Sequence, residues 1–310
     1  MDALAVVLNG PEDLSISRLP LDPVGESDLL VDISWSGIST GTERLLFEGR
    51  MPPFPGFGYP LVPGYESVGE VVAAGANHTA LVGQTVFVPG ARCFGAVRGL
   101  FGGAAARVVV PAARATRIDP DLRERGVLIA LATTAYHAIV GGALPDLIVG
   151  HGVLGRLLAR LAVMLGAEVT VWETNQIRMD GALGYRVVRE GDDPRRDYRS
   201  IYDVSGSVDA IDSLIGRLAP GGEIVLAGFY PGRFSFAFPA AFMREARFRI
   251  AAEWRPEDLD AVLAMIADGR LSLDGLITHR ADASDAPAAY RTAFADPSCL
   301  KMILDWRASA

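Results

Sequence analysis

Short apolar runs alternate with glycine and proline breaks through the first third of the chain. Runs at 3–8, 29–34, 67–73, 85–88 and 107–110 have the length of strands, and turn residues separate them. That spacing predicts a compact, barrel-like β domain. From Arg123 the pattern turns helical. Runs at 147–149, 169–172, 186–188, 200–204, 223–227 and 248–252 then alternate with helical stretches, which predicts an α/β fold with a doubly wound parallel sheet. A further helix is expected at 256–267, opened by Pro256 with Glu257 and Asp258 in its first turn. A strand at 299–306 is expected to rejoin the first domain. The expected division is a β-rich domain of 1–117 and 254–310 around an α/β domain of 118–253.

One stretch in the α/β part carries chemistry. Gly150-His151-Gly152-Val153-Leu154-Gly155 has the G-x-G-x-x-G spacing and directly follows the apolar run at 147–149. Leu157, Leu158, Leu161, Ala162 and Leu165 give the next helix its apolar stripe, Gly166 ends it, and Glu173 closes the following strand. The first glycine permits a sharp turn, the second lets backbone approach a pyrophosphate, and the third lets helix and strand pack closely. The free amides and positive dipole of the helix start, at Val153 and Leu154, then face the phosphates. Glu173 suits the two hydroxyls of an adenosine ribose and repels a 2′-phosphate, so NAD is expected over NADP, with Arg178 nearby tempering that preference. Thr174 and Asn175 flank the same ribose. A ligand-free glycine turn is the competing reading, and the complete strand–turn–helix–strand–acid unit weighs against it. His151 reads as a loop residue.

The chain has 310 residues, half of them apolar, enough for two domains. A net charge of −8, from 29 basic and 37 acidic residues, argues against nucleic acid as a partner. Cys93 and Cys299 are the only cysteines, too few for a disulfide framework or a zinc knuckle. The start lacks a signal-peptide pattern, and no apolar run reaches membrane-spanning length. A cytoplasmic protein without an integral membrane segment is expected, with peripheral membrane association left open.

Several segments carry a resemblance. Leu61-Val62-Pro63-Gly64-Tyr65-Glu66-Ser67-Val68-Gly69-Glu70-Val71 resembles the P-G-H-E-x-x-G signature of medium-chain dehydrogenases/reductases, and Gly37-Ile38-Ser39-Thr40-Gly41-Thr42-Glu43 resembles their G-V-C-G-T-D segment. Thr134-Ala135-Tyr136-His137-Ala138, Gly221-Gly222-Glu223-Ile224-Val225-Leu226-Ala227-Gly228 and Leu300-Lys301-Met302-Ile303 resemble later segments in the right order. The resemblance implies a GroES-like catalytic domain and a dinucleotide-binding domain. It places Thr134 near the nicotinamide and Lys301 at the cofactor phosphates. Ser205, Gly228 and Phe229 follow strand ends, where cofactors lie in such sheets. Dimers through the cofactor-domain sheet are common in the family, so a homodimer through 248–252 is an expectation. Zinc-dependent members hold the metal with a Cys, a His and a further Cys or Glu; here Ser39, Tyr65 and Ala130 stand at those places, and the four-cysteine structural loop is missing. No metal is therefore expected.

A narrower resemblance runs through 37–49, 52–65, 172–175, 236–253, 274–280 and 293–306. It is to the zinc-free branch of the family that oxidises a 1-hydroxyethyl side chain of a chlorin or bacteriochlorin tetrapyrrole to acetyl. Oxidising an alcohol without a metal needs a side chain to take the hydroxyl proton. Tyr65 is the first candidate, its pKa lowered by a cationic nicotinamide, with Ser39 as relay; Glu66 and His137 are further candidates. Tyr65 as a filler of space left by a lost metal is an equal alternative. Phe54, Phe57 and Tyr59, in a Pro/Gly-rich stretch, offer flat apolar surface for a macrocycle, or else fold onto their own domain. Arg44 or Arg50 could meet a propionate. Two other functions compete: a zinc-free quinone or enoyl reductase, and a non-catalytic tetrapyrrole or nucleotide carrier.

Overall fold

The alternation at the start of the chain folds as a hairpin in which β1 (Asp2–Gly10) pairs antiparallel with β2 (Asp13–Pro20). The apolar pattern misses β2, because Leu14, Ile16 and Leu19 are only partly buried. The computed structural model describes residues 1–53 and 55–309. The chain continues through β3 (Asp28–Ile38), α1 (Thr42–Phe47), β4 (Leu61–Val62), β5 (Ser67–Ala74), β6 (Thr85–Val88), β7 (Arg98–Gly99), β8 (Arg107–Pro111) and β9 (Thr116–Arg117). It then enters α2 (Ile129–Ile139), β10 (Leu147–Val149), α3 (Val153–Met164), β11 (Thr170–Trp172), β12 (Arg186–Val188) and β13 (Tyr198–Asp203). α4 (Ile211–Arg217), β14 (Leu218–Leu226), α5 (Phe238–Met243), β15 (Arg247–Ile250) and α6 (Pro256–Ala267) follow, then β16 (His279–Asp282), α7 (Ala286–Ala295) and β17 (Met302–Asp305).

Two compact units result, Met1–Ala130 with Leu276–Ala310, and Leu131–Gly275. In the first, β3 is the hub: it pairs antiparallel with β5, β8 and β17. Its buried residues Leu29, Val31 and Ile33 pack with Val71, Val86, Val108 and Leu304. The terminal strand is fastened by more than its ladder, since fully buried Trp306 donates from Nε1 to Ser36 Oγ at 2.8 Å. An indole left without that acceptor would carry an unmet buried donor.

In the second unit six strands run parallel in the order β12-β11-β10-β13-β14-β15. Central β10 reads Leu-Ile-Val, as a strand covered on both faces must. α3 follows it, with its Leu157, Leu158, Leu161 and Ala162 side buried, and ends at Met164 with Gly166 in the left-handed region. The apolar pattern puts the passages between domains at 118 and 254; the chain passes between the units after Ala130 and after Gly275, so α6 lies in the second. Polar bonds hold it there. Asp258 on α6 meets His137 on α2, and Arg160 on α3 donates to the carbonyls of Ser272 and Asp274. The expected alternation also fails twice: between β12 and β13 only the short turn Glu190–Asp192 appears, and between β11 and β12 only Gln176–Arg178. That stretch lacks an apolar helical stripe and holds Gly181 and Gly184, both with positive φ.

Candidate active site

The glycine turn leaves β10 with Gly150 at φ +106°, a conformation that disfavours any side chain. A Cβ on Gly155 would lie 1.9 Å from the Gly150 carbonyl oxygen, whereas around Gly152 the space is open. Turn and helix therefore close tightly on each other and leave room at the middle glycine. Gly152 caps α3 without a side-chain bond, so the first amides of the helix, at Val153 and Leu154, have no partner inside it.

Glu173 is buried at the end of β11. Its Oε1 accepts from the amides of Thr174 at 2.8 Å and Asn175 at 2.7 Å, and its Oε2 from the amide of His151 at 3.0 Å. Thr174 is exposed, and Asn175 caps the next turn through Ile177 N. Ser205 lies exposed past β13, and Gly228 and Phe229 follow β14, with Phe229 42% exposed. These residues all sit at the carboxyl ends of β10, β11, β13 and β14. There the strand order reverses between β10 and β13, which is where open parallel sheets take ligands.

His151 lies in the turn, as the loop residue it reads as, but its buried contacts are not legible in the sequence, and Arg156 is not singled out there. His151 is fully buried, with Nδ1 at 2.6 Å from Arg178 O and Nε2 at 2.8 Å from Tyr185 Oη. Burial pushes the imidazole down to about 4, so the neutral ring donates from Nδ1 and accepts at Nε2. The signal available was Arg156 itself, a charge set among the apolar positions of α3.

In the first unit Ser39 and Tyr65 meet, Oγ to Oη, at 2.8 Å. Ser39 is buried in the loop after β3, and half-buried Tyr65 packs edge-on to Phe101. Burial raises the Tyr65 hydroxyl above the ordinary tyrosine value, and the neighbouring Glu66 carboxylate raises it further. In this structure the shift is thus opposite to the lowering expected from a cationic cofactor.

Glu66 does not face Tyr65's partner. Both its oxygens accept from the Lys301 ammonium, at 3.0 and 2.7 Å, and that ammonium also donates to Ile38 O at 3.1 Å. Lys301 is 1% exposed, so the residue expected at the cofactor phosphates is placed instead as the cation of a buried ion pair. His137 lies in the second unit with Nδ1 at 2.7 Å from Asp258 Oδ2, which also accepts from the Arg255 amide. It ties α2 to α6. Thr134 is half-buried on α2.

Glu43 was not singled out from the sequence. It is buried, accepting from Ser39 N at 3.0 Å and from Tyr290 Oη at 2.5 Å. Burial holds its carboxyl up at about 7 from an ordinary 4.5. Between those values the unfolded chain has released a proton that the folded chain keeps. Stability therefore falls as pH rises through that window and levels off above it. Glu43→Gln cannot ionise and is expected to remove a decline on the order of 3 kcal/mol, read by denaturant unfolding on either side of the window. An unchanged pH slope would show that Glu43 is not its source.

Phe57 and Tyr59 meet edge to face at 5.4 Å and pack on the cluster of Leu8, Leu45, Leu46, Met51, Leu61 and Leu100. Tyr59 also donates to the Leu46 carbonyl. Phe54 lies outside the described residues. Arg44 and Arg50 both bond Glu48, at 2.7 and 2.9 Å. Among the described residues no three His, Cys, Asp or Glu side chains gather as metal ligands, and no helix is long and apolar enough to cross a membrane.

A β-rich unit with the P-G-Y-E-x-x-G segment and a second unit with a glycine-turn parallel sheet, in one chain, define a dehydrogenase of the medium-chain class. Residues 25–120 match the alcohol dehydrogenase GroES-like domain. The fold aligns with an alcohol dehydrogenase of Escherichia coli CFT073 solved in complex with NADH, at a TM-score of 0.84 and 20% identity, over 98% of this chain and 99% of that one. The 2-desacetyl-2-hydroxyethyl bacteriochlorophyllide A dehydrogenase of Rhodobacter capsulatus is 58% identical, over 99% of both chains. That of Cereibacter sphaeroides is 58% identical over the whole of both. The chain is an oxidoreductase of the medium-chain dehydrogenase/reductase family and belongs among its bacteriochlorophyllide A dehydrogenases.

Proposed function

We propose that this enzyme oxidises the 1-hydroxyethyl side chain of a bacteriochlorophyllide precursor to acetyl, with NAD as acceptor and without catalytic zinc. The observation that carries the substrate is 58% identity along the entire length of the two relatives. When bound, NAD supplies the acceptor for the hydride leaving the alcohol carbon. The glycine turn and first turn of α3 suit its pyrophosphate, and Glu173, held by three amides, suits an unphosphorylated ribose. NAD is accordingly expected to bind more tightly than NADP.

Ser39, Tyr65 and Ala130 offer neither thiolate nor imidazole where zinc-holding members have them, which supports a metal-free reaction. In its place the ionised Tyr65 phenolate accepts the hydroxyl proton, and Ser39, 2.8 Å away, holds that phenolate by donating its hydroxyl hydrogen bond to it. Both cysteines are buried free thiols, as suits the reducing cytoplasm. The place of β15 at the sheet edge, with exposed Phe248 and Ile250, supports a homodimer through that strand.

Chelator-treated protein should form NADH from NAD and the hydroxyethyl pigment, with the red shift that an acetyl group brings to the macrocycle. Binding of pigment or cofactor without turnover would replace this reading by a carrier. Loss of turnover on chelation, restored by zinc, would overturn the metal-free step.

A further inference from the structure

The crossing from β11 to β12 joins two parallel neighbours, a connection ordinarily made by a helix that satisfies its own carbonyls. Here the carbonyls of Arg178, Asp180 and Gly181 turn to one guanidinium instead. Arg156 Nη2 donates to Arg178 O at 3.0 Å and Asp180 O at 2.7 Å, Nη1 to Gly181 O at 3.3 Å, and Nε to His151 O in the glycine turn at 3.1 Å. The side chain is 5% exposed. The His151 ring adds its bonds to Arg178 O and Tyr185, and the His151 amide holds Glu173. One buried cluster thus joins the glycine turn, the acid and the crossing. Only a planar fork of five donors can reach four carbonyls in such divergent directions; an ammonium cannot.

We infer that Arg156 is a positioning residue for the adenosine half of the dinucleotide: it fixes the crossing 174–185 against the glycine turn, and with it Glu173 and the amides of Thr174 and Asn175. The inference rests on the dinucleotide reading above. If the guanidinium is lost, the crossing samples conformations that do not bind, and affinity falls by the fraction of time spent in them.

The test titrates AMP and NADH by calorimetry into the unaltered protein, Arg156→Met, Arg156→Lys and Gly181→Ala. The last leaves the arginine in place but sets a Cβ 2.3 Å from its Nη1, at φ +85°, on the exposed crossing, so it decides the matter if Arg156→Met folds poorly. Arg156→Met is expected to weaken both ligands about tenfold or more, Gly181→Ala to act in the same direction, and Arg156→Lys to recover part of the loss. Amide hydrogen exchange should quicken within 174–185 and stay slow in β13 and β14, a pattern that general destabilisation would not give. Unchanged AMP affinity in both Arg156→Met and Gly181→Ala, or lost affinity with unaltered exchange in 174–185, overturns the inference. Failure of the unaltered protein to bind either nucleotide overturns the dinucleotide reading and the inference together.

Discussion

Tyr65→Phe is expected to lower the rate of alcohol oxidation by about a hundredfold to ten-thousandfold, the usual effect of removing a positioned acid–base group. The substitution deletes one oxygen and keeps the ring that packs edge-on to Phe101 at 5.5 Å. Folding and NADH affinity should therefore be unchanged. Ser39 keeps its weaker bond from the Thr42 amide at 3.4 Å, so the loop need not rearrange. Burial and Glu66 hold the Tyr65 hydroxyl above its ordinary range. The phenol is thus protonated at neutral pH, and oxidation should speed up toward alkaline pH as the base form grows. Steady-state rates measured across pH check both points. Loss of rate together with the alkaline limb supports the assignment, whereas an unchanged rate in Tyr65→Phe would show Tyr65 to be a filler of the lost metal's space. Ser39→Ala should fall between the two enzymes, since it removes the partner and not the base.

The second large effect is on stability. Lys301→Met is expected to destabilise the first unit by about 3–5 kcal/mol, because it strands a buried carboxylate. Glu66 is fully buried, and its Oε2 fills the space that a Cβ on Gly37 would take, so the carboxylate sits in the packed interior, away from water. The pair also joins β17 to the start of β5 and, through Ile38 O, to the end of β3. Removing both charges together, in Glu66→Leu/Lys301→Met, should restore much of the loss, because each charge is tolerable only with the other. Urea unfolding of the three proteins measures this. A loss in Lys301→Met near that of a surface pair, about 1 kcal/mol or less, would show that water reaches the carboxylate.

What could be read from the sequence is what depends on neighbours along the chain. Strand and helix periodicities are local, so Leu147–Val149, Arg186–Val188 and Pro256–Ala267 appear where the apolar pattern places them. The glycine turn with its closing acid is local too, since turn, helix and next strand lie within one βαβ unit. β2 was hidden because its burial is partial, and the helix-less crossing because nothing in a short polar stretch says what will satisfy its carbonyls. Only the tertiary structure decided the partners of buried charge. Lys301 meets Glu66 across 235 positions and Tyr290 meets Glu43 across 247, and no periodicity reaches that far. A lysine at a strand end reads equally as a phosphate ligand or as half of an ion pair. The choice falls to whichever acceptor the fold brings to it, because a buried ammonium must have one.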